Sequence, residues 1–157
     1  MATIERELAP ASHADWLRGV DDLVADVERW AAEWLAERGG VHAGAWAVRR
    51  SEKQISEDVP GTRKERHYTV PMLEIDMPAR ETRLVPEERL VLEPIAYNVF
   101  GGVGGVDLYA WPTLYRVRLL WQPGDGKWIV RTDSGIAWPH PWNRGTFIEL
   151  AEGLLDA

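Results

Sequence analysis

The chain changes its hydrophobic rhythm near residue 40, and that change restricts the fold more than any other feature. Between residues 12 and 38 the apolar positions Trp16, Val20, Leu23, Val27, Trp30 and Trp34 alternate spacings of four and three, the repeat of one helix face. Leu17, Val24, Ala31 and Leu35 widen that stripe. Ser12, just after Pro10, stands where an N-cap belongs, with Asp15 three residues on in the place of a capping-box acid. Arg38-Gly39-Gly40 provides a cation and a glycine stop at the other end. The predicted helix is about 40 Å long, and residues 1–11 read as a flexible arm. Gly19 is its weak point, costing about 1 kcal/mol relative to Ala if exposed. The stripe is too short for a secure coiled coil, and its breadth suits a helix lying across a sheet.

Beyond Arg38 a two-residue period takes over. Val41 to Val48 reads as a strand buried on both faces, and the polar segment 49–66 as a loop turning at Pro60-Gly61. Residues 67–77 alternate, with Leu73, Ile75 and Met77 on one side and Glu74 and Asp76 on the other; Pro71 marks an edge or a break. Residues 80–85, 88–99 and 106–111 add extended pieces. Residues 114–121 and 128–133 flank Gln122-Pro-Gly-Asp-Gly-Lys127, a hairpin signal. Pairing Trp121 with Trp128 sets Leu119 opposite Val130 and makes one apolar face. The other face then places Arg118 opposite Arg131 and Arg116 opposite Asp133. A last helix, capped by Asn143 or Thr146, buries Phe147, Leu150, Ala151 and Leu154. The expected fold is α+β over a single domain, 1–157: a long N-terminal helix packed on an antiparallel sheet of about five to seven strands, with a short C-terminal helix.

Composition narrows function mainly by exclusion. The 157 residues carry a net charge of −7, which makes nucleic acid an unlikely partner because phosphate neutralisation needs the opposite sign. Residues 1–38 hold nine acids and four bases, so most of the acidity belongs to the first helix. With 0 Cys, disulfides, thiolate metal sites and cysteine nucleophiles are excluded. No apolar run reaches membrane-spanning length, and the acidic start lacks the basic residues of a signal peptide. The expectation is a cytoplasmic protein with no membrane partner. Only Lys53, Lys64 and Lys127 among the 18 cations are lysines, a bias expected of a GC-rich bacterial gene.

Chemistry-bearing motifs are sparse. Glu74 and Asp76 share a strand face about 7 Å apart, and with Asp107 they are the candidate catalytic carboxylates of a metal-assisted hydrolase or nuclease. The glycine run Gly101–Gly105 departs from a dinucleotide loop, since Asp107 stands where its third glycine belongs; it reads as a mobile hairpin or bulge. His13, His42, His67 and His140 have no zinc-ligand spacing, so neither metal nor cofactor is implied. Arg116, Arg118 and Arg131 gather on one hairpin face as an anion or acidic-partner site. Trp138, His140, Trp142 and Arg144 combine rigid apolar area with directional hydrogen bonds, the mixture found in ligand and partner sites. Three functions fit: a non-catalytic binding or accessory domain recognising a protein or small ligand, the metal-assisted enzyme, and a structural module forming a homodimer through the first helix.

Overall fold

The computed structural model describes residues 2–37, 47–59, 61–77, 88–99, 103–111, 116–122, 127–131 and 142–156, with side chains from His13 onward in the first helix. Helix α1 (Ala2–Glu37) is followed by β1 (Ala47–Asp58), β2 (Glu65–Met77), β3 (Glu88–Val99), β4 (Val103–Trp111), β5 (Arg116–Gln122) and β6 (Lys127–Arg131), and α2 (Arg144–Asp156) closes the fold. The strands form one antiparallel sheet in the order β1-β2-β3-β4-β5-β6. Every strand pairs with its sequence neighbour, the arrangement that short connections favour. The α+β expectation is met.

The core lies between the helices and one sheet face. Trp16, Val20, Leu23, Val27 and Trp34 of the predicted stripe are buried, as are Val24, Ala31 and Leu35. They meet Leu73 and Ile75 of β2, Leu90 and Leu92 of β3, Val106 and Leu108 of β4, Val117 and Leu119 of β5 and Val130 of β6. Helix α2 adds Phe147, Leu150, Ala151 and Leu154. Asn143 is its cap: Oδ1 accepts from the Thr146 N–H at 3.0 Å, one of the donors a helix start leaves unpaired.

Two local expectations need correction, and a third is met in part. Helix α1 begins at Ala2, so Ser12 lies within it and is not its N-cap; Ala2 to Leu8 are mostly good helix formers. Residues 49–58 are strand, not loop, because their charges pair across the β1–β2 ladder, as Arg49 does opposite Glu74. The chain reverses at residues 59–64, where Gly61 takes φ 75°, a conformation natural to glycine. From Val103 onward the glycine run is part of β4, and the expected bulge is met in the pairing with β3, whose register shifts between Pro94 and Val99. Gly104 is needed there as a seat for Trp16: a methyl group on it would come within 1.9 Å of Trp16 Cδ1. The expected strand 41–48 lies outside the described residues up to 46, as do the extended piece 80–85 and Asp133.

The β1–β2 ribbon is longer than its support. Its register is continuous from Ala47↔Asp76 to Asp58↔Glu65, whereas β2 pairs with β3 only over Leu73–Met77. Pro71, lacking an N–H, sits just past the end of that pairing. At the base of the ribbon the inward set is Leu73 and Ile75; toward the tip it is Ile55, Tyr68 and Val70. The inward parity therefore switches along an unbroken ladder. Twist is largest in unsupported two-stranded ribbons, and here it turns the tip over onto the start of the described part of α1.

Candidate functional site

The outward sheet face carries most of the residues that the sequence nominates for chemistry. Arg49 donates from Nε to Asp76 Oδ2 at 2.7 Å and from Nη2 to Glu74 Oε2 at 2.8 Å, and Arg89 donates to Asp76 Oδ1 at 2.8 Å. Burial alone would raise the Asp76 carboxyl, but its bonds to the two guanidinium groups outweigh that and hold it below its ordinary value. Asp107 is fully buried. It accepts both arms of Arg118, at 2.6 and 3.0 Å, and Arg116 Nη1 at 3.2 Å. Strand β3 separates Asp107 from Glu74 and Asp76, a gap of roughly 10 Å at ordinary strand spacing. Among the described residues no group of three His, Asp or Glu side chains could hold a metal ion. The three carboxylates thus share a face but not a site, and each is committed to arginine.

The arginine cluster has the predicted register, with Arg118 opposite Arg131 and Trp121 opposite Trp128. The like charges are relieved from the other side, by Asp107 opposite Arg118 on β4. A second like pair, Glu93 opposite Asp107, is relieved in the same way. Lys53 Nζ donates to Glu93 Oε2 at 2.6 Å and Tyr109 donates to Oε1 at 2.9 Å. Burial and this bond push the Tyr109 phenol up to about 12. Arg116 and Arg118 are thus neutralised by Asp107, while Arg131 is exposed at the sheet edge.

Of the loop candidates, Trp138 and His140 lie outside the described residues. Arg144 clamps α2 to α1, donating to Glu33 Oε2 at 3.0 Å and to Glu37 Oε1. Trp142 is partly buried, 5.9 Å from Trp30 and 6.3 Å from Phe147 between ring centroids. Its exposed part lines the described cavity.

That cavity, of about 410 Å³, lies between α1 and the β5–β6 hairpin and is lined by Gly19, Asp22, Leu23, Asp26, Trp121, Lys127, Trp128 and Trp142. The helix wall follows one face, at spacings of three, four and seven from Gly19. The opposite wall is the Trp121–Trp128 pair, with ring centroids 5.1 Å apart and planes at 60°. Gly19 lets the walls approach: a methyl group there would stand 2.6 Å from the Trp121 ring. Asp22 is exposed and Asp26 half-exposed; Asp26 pairs with Arg29 at 3.0 Å. No ion pair joins either aspartate to Lys127. The Trp121 and Trp142 indole N–H groups are buried and have no acceptor among the described residues. The sequence signal for this site was the spacing of residues 19, 22, 23 and 26 together with the Trp121–Trp128 register. We read the stripe and the indole pair as core packing, and only their docking shows that a gap remains between them.

A second aromatic cluster pins the ribbon tip. The His13 ring lies edge-on to Tyr68 and Tyr97, at 4.8 and 5.1 Å, and Trp16 meets Tyr68 at 5.9 Å. The Tyr97 N–H is shared between Glu57 Oε2 at 3.0 Å and the Tyr68 oxygen at 3.1 Å, and Arg66 covers the Tyr97 ring. Burial, with a smaller effect from Arg66, lowers the His13 imidazole, and Glu57 opposes the shift. These rings pack directly against one another.

Among the described residues no helix is long and apolar enough to cross a membrane. No protein-family model matches the chain, and comparisons with curated proteins and with solved structures likewise return no match, so what the cavity does has to be argued from its own residues.

Proposed function

We propose that this chain is a non-catalytic binding domain whose site is the tryptophan-walled cavity between α1 and the β5–β6 hairpin. The observation that carries this is the combination of volume and lining. About 410 Å³ falls within the usual range for small-molecule pockets, which are mostly apolar with a few convergent polar groups. Three indoles and Leu23 supply the apolar area, and Asp22, Asp26 and Lys127 supply charge at one place. The size favours a small ligand over a protein surface. The carboxylates nominated for catalysis are held by arginines, which gives an enzyme reading no comparable support. Self-association through the first-helix stripe would require α1 to leave its own sheet, since that stripe is buried within the chain. A chain with 0 Cys needs no oxidising compartment, and a cytoplasmic location is part of this proposal.

The test is a fragment titration of the ¹⁵N-labelled chain, following the indole N–H resonances. Fragments that bind here shift Trp121, Trp128 and Trp142, and the Asp22→Trp variant, which blocks the cavity from an exposed helix position, abolishes those shifts. Shifts that persist in the blocked variant, or a screen in which none of the three signals moves, would defeat the proposal.

A further inference from the structure

The charges around the cavity are arranged in a way that names a ligand class. We infer that the cavity takes a small zwitterion of amino-acid type, with an ammonium group toward Asp22 and Asp26, a carboxylate toward Lys127 and an apolar body against the tryptophans. This rests on the cavity being the binding site.

Both signs of charge line one cavity, on opposite walls: Asp22 and Asp26 come from α1, and Lys127 from the first residue of β6. Left to themselves, such groups close into an ion pair when their side chains can meet. Here no pair within 4 Å joins them, although Arg29 holds Asp26 and other acids on α1 have found cations, as Asp15 has with Arg18. An organic cation alone would suit the aspartates and the indole faces but would be repelled by Lys127. An organic anion alone would suit Lys127 and be repelled by the aspartates. A molecule carrying both charges satisfies each wall. The partly exposed indoles of Trp128 and Trp142 offer the rest of the ligand apolar surface, against which an aromatic or branched side chain packs.

Three probes with one body separate these cases: L-phenylalanine carries both charges, phenethylamine only the ammonium and 3-phenylpropionate only the carboxylate. Each is titrated into the full ¹⁵N-labelled chain at low salt, with the indole signals as the readout. L-Phenylalanine is expected to bind most tightly, with each singly charged probe about fivefold weaker, the scale of one partly exposed ion pair. Lys127→Gln should bring L-phenylalanine down to the level of phenethylamine. The double variant Asp22→Asn/Asp26→Asn should bring it down to that of 3-phenylpropionate. These positions are exposed or half-exposed, so the variants keep the fold, and unchanged indole spectra without ligand check this. Phenethylamine or 3-phenylpropionate binding as tightly as L-phenylalanine overturns the zwitterion assignment. So does uncharged-fragment binding that Asp22→Trp abolishes, when none of the three probes binds; the cavity then remains a binding site. If neither probes nor fragments move the indoles, the binding function itself fails along with this inference.

Discussion

Helix α1 meets tryptophans and tyrosines at two places, with opposite outcomes. Around His13 and Trp16 the ribbon tip brings in Tyr68, Tyr97, Glu57 and Arg66, and the groups close on one another: the rings stack edge to face, and Glu57 and Tyr68 share the Tyr97 N–H. About one helical turn further on, the β5–β6 hairpin brings Trp121 and Trp128 to Gly19, Asp22 and Asp26, and a gap remains. Both contacts rely on a glycine that admits an indole. Gly104 seats Trp16, which is then fully enclosed, whereas Gly19 seats Trp121 and leaves Trp128 and Trp142 partly exposed. Residue types therefore do not distinguish a packed aromatic cluster from a binding site. What distinguishes them is whether the neighbouring elements supply enough side chains to fill the space.

The contrast can be broken most severely at its packed end. Trp16→Ala should cost about 3–5 kcal/mol, the usual loss for deleting a large buried aromatic, seen as a lower urea midpoint; a loss below about 1 kcal/mol would mean that the tip cluster is not integral to the core. Gly19→Ala sharpens the other end. In an exposed helix position this change is worth about 1 kcal/mol of added stability, but here the new methyl meets the Trp121 ring, so a net loss of about 1–3 kcal/mol is expected. A gain in thermal midpoint would show that Trp121 does not rest on Gly19. The smallest effect is the pH response of His13. Its native imidazole lies below the ordinary value of 6.5, so below that pH the unfolded chain takes up a proton that the folded cluster resists. Its contribution is full above pH 6.5 and is lost as the pH falls toward the depressed native value. Urea midpoints of the native chain and His13→Gln, compared at pH 7.5 and 5.5, should show a weaker acid loss in the variant; equal losses would remove His13 as the cause.

Much of the architecture could be read in advance because it follows from local periodicity. The four-three spacing from Trp16 to Trp34 placed the helix face, and β3, β4 and the β5–β6 hairpin followed from alternation and turn residues. The Arg118↔Arg131 and Trp121↔Trp128 register held because slipping a strand by one residue would turn its apolar set outward. Residues 49–58 were misread because polar content alone resembles a loop, while in this ribbon β1 pairs its charges across the ladder and β2 supplies most of the apolar face. The surroundings of Asp107 depend in the same way on another strand. A carboxylate in a strand is a metal-ligand candidate until its neighbours are known, and two arginines on β5 claim it.

The sequence by itself determined the order and type of the elements, which helix face is buried and how the last hairpin pairs, since each depends on residues close together in the chain. Only the tertiary structure decided which charges neutralise one another, how the β1–β2 ribbon turns over, and that α1 and the β5–β6 hairpin stand apart around a cavity. Those depend on distances between elements far apart in sequence, set by how completely their side chains fill the space where they meet, and no local pattern encodes that sum.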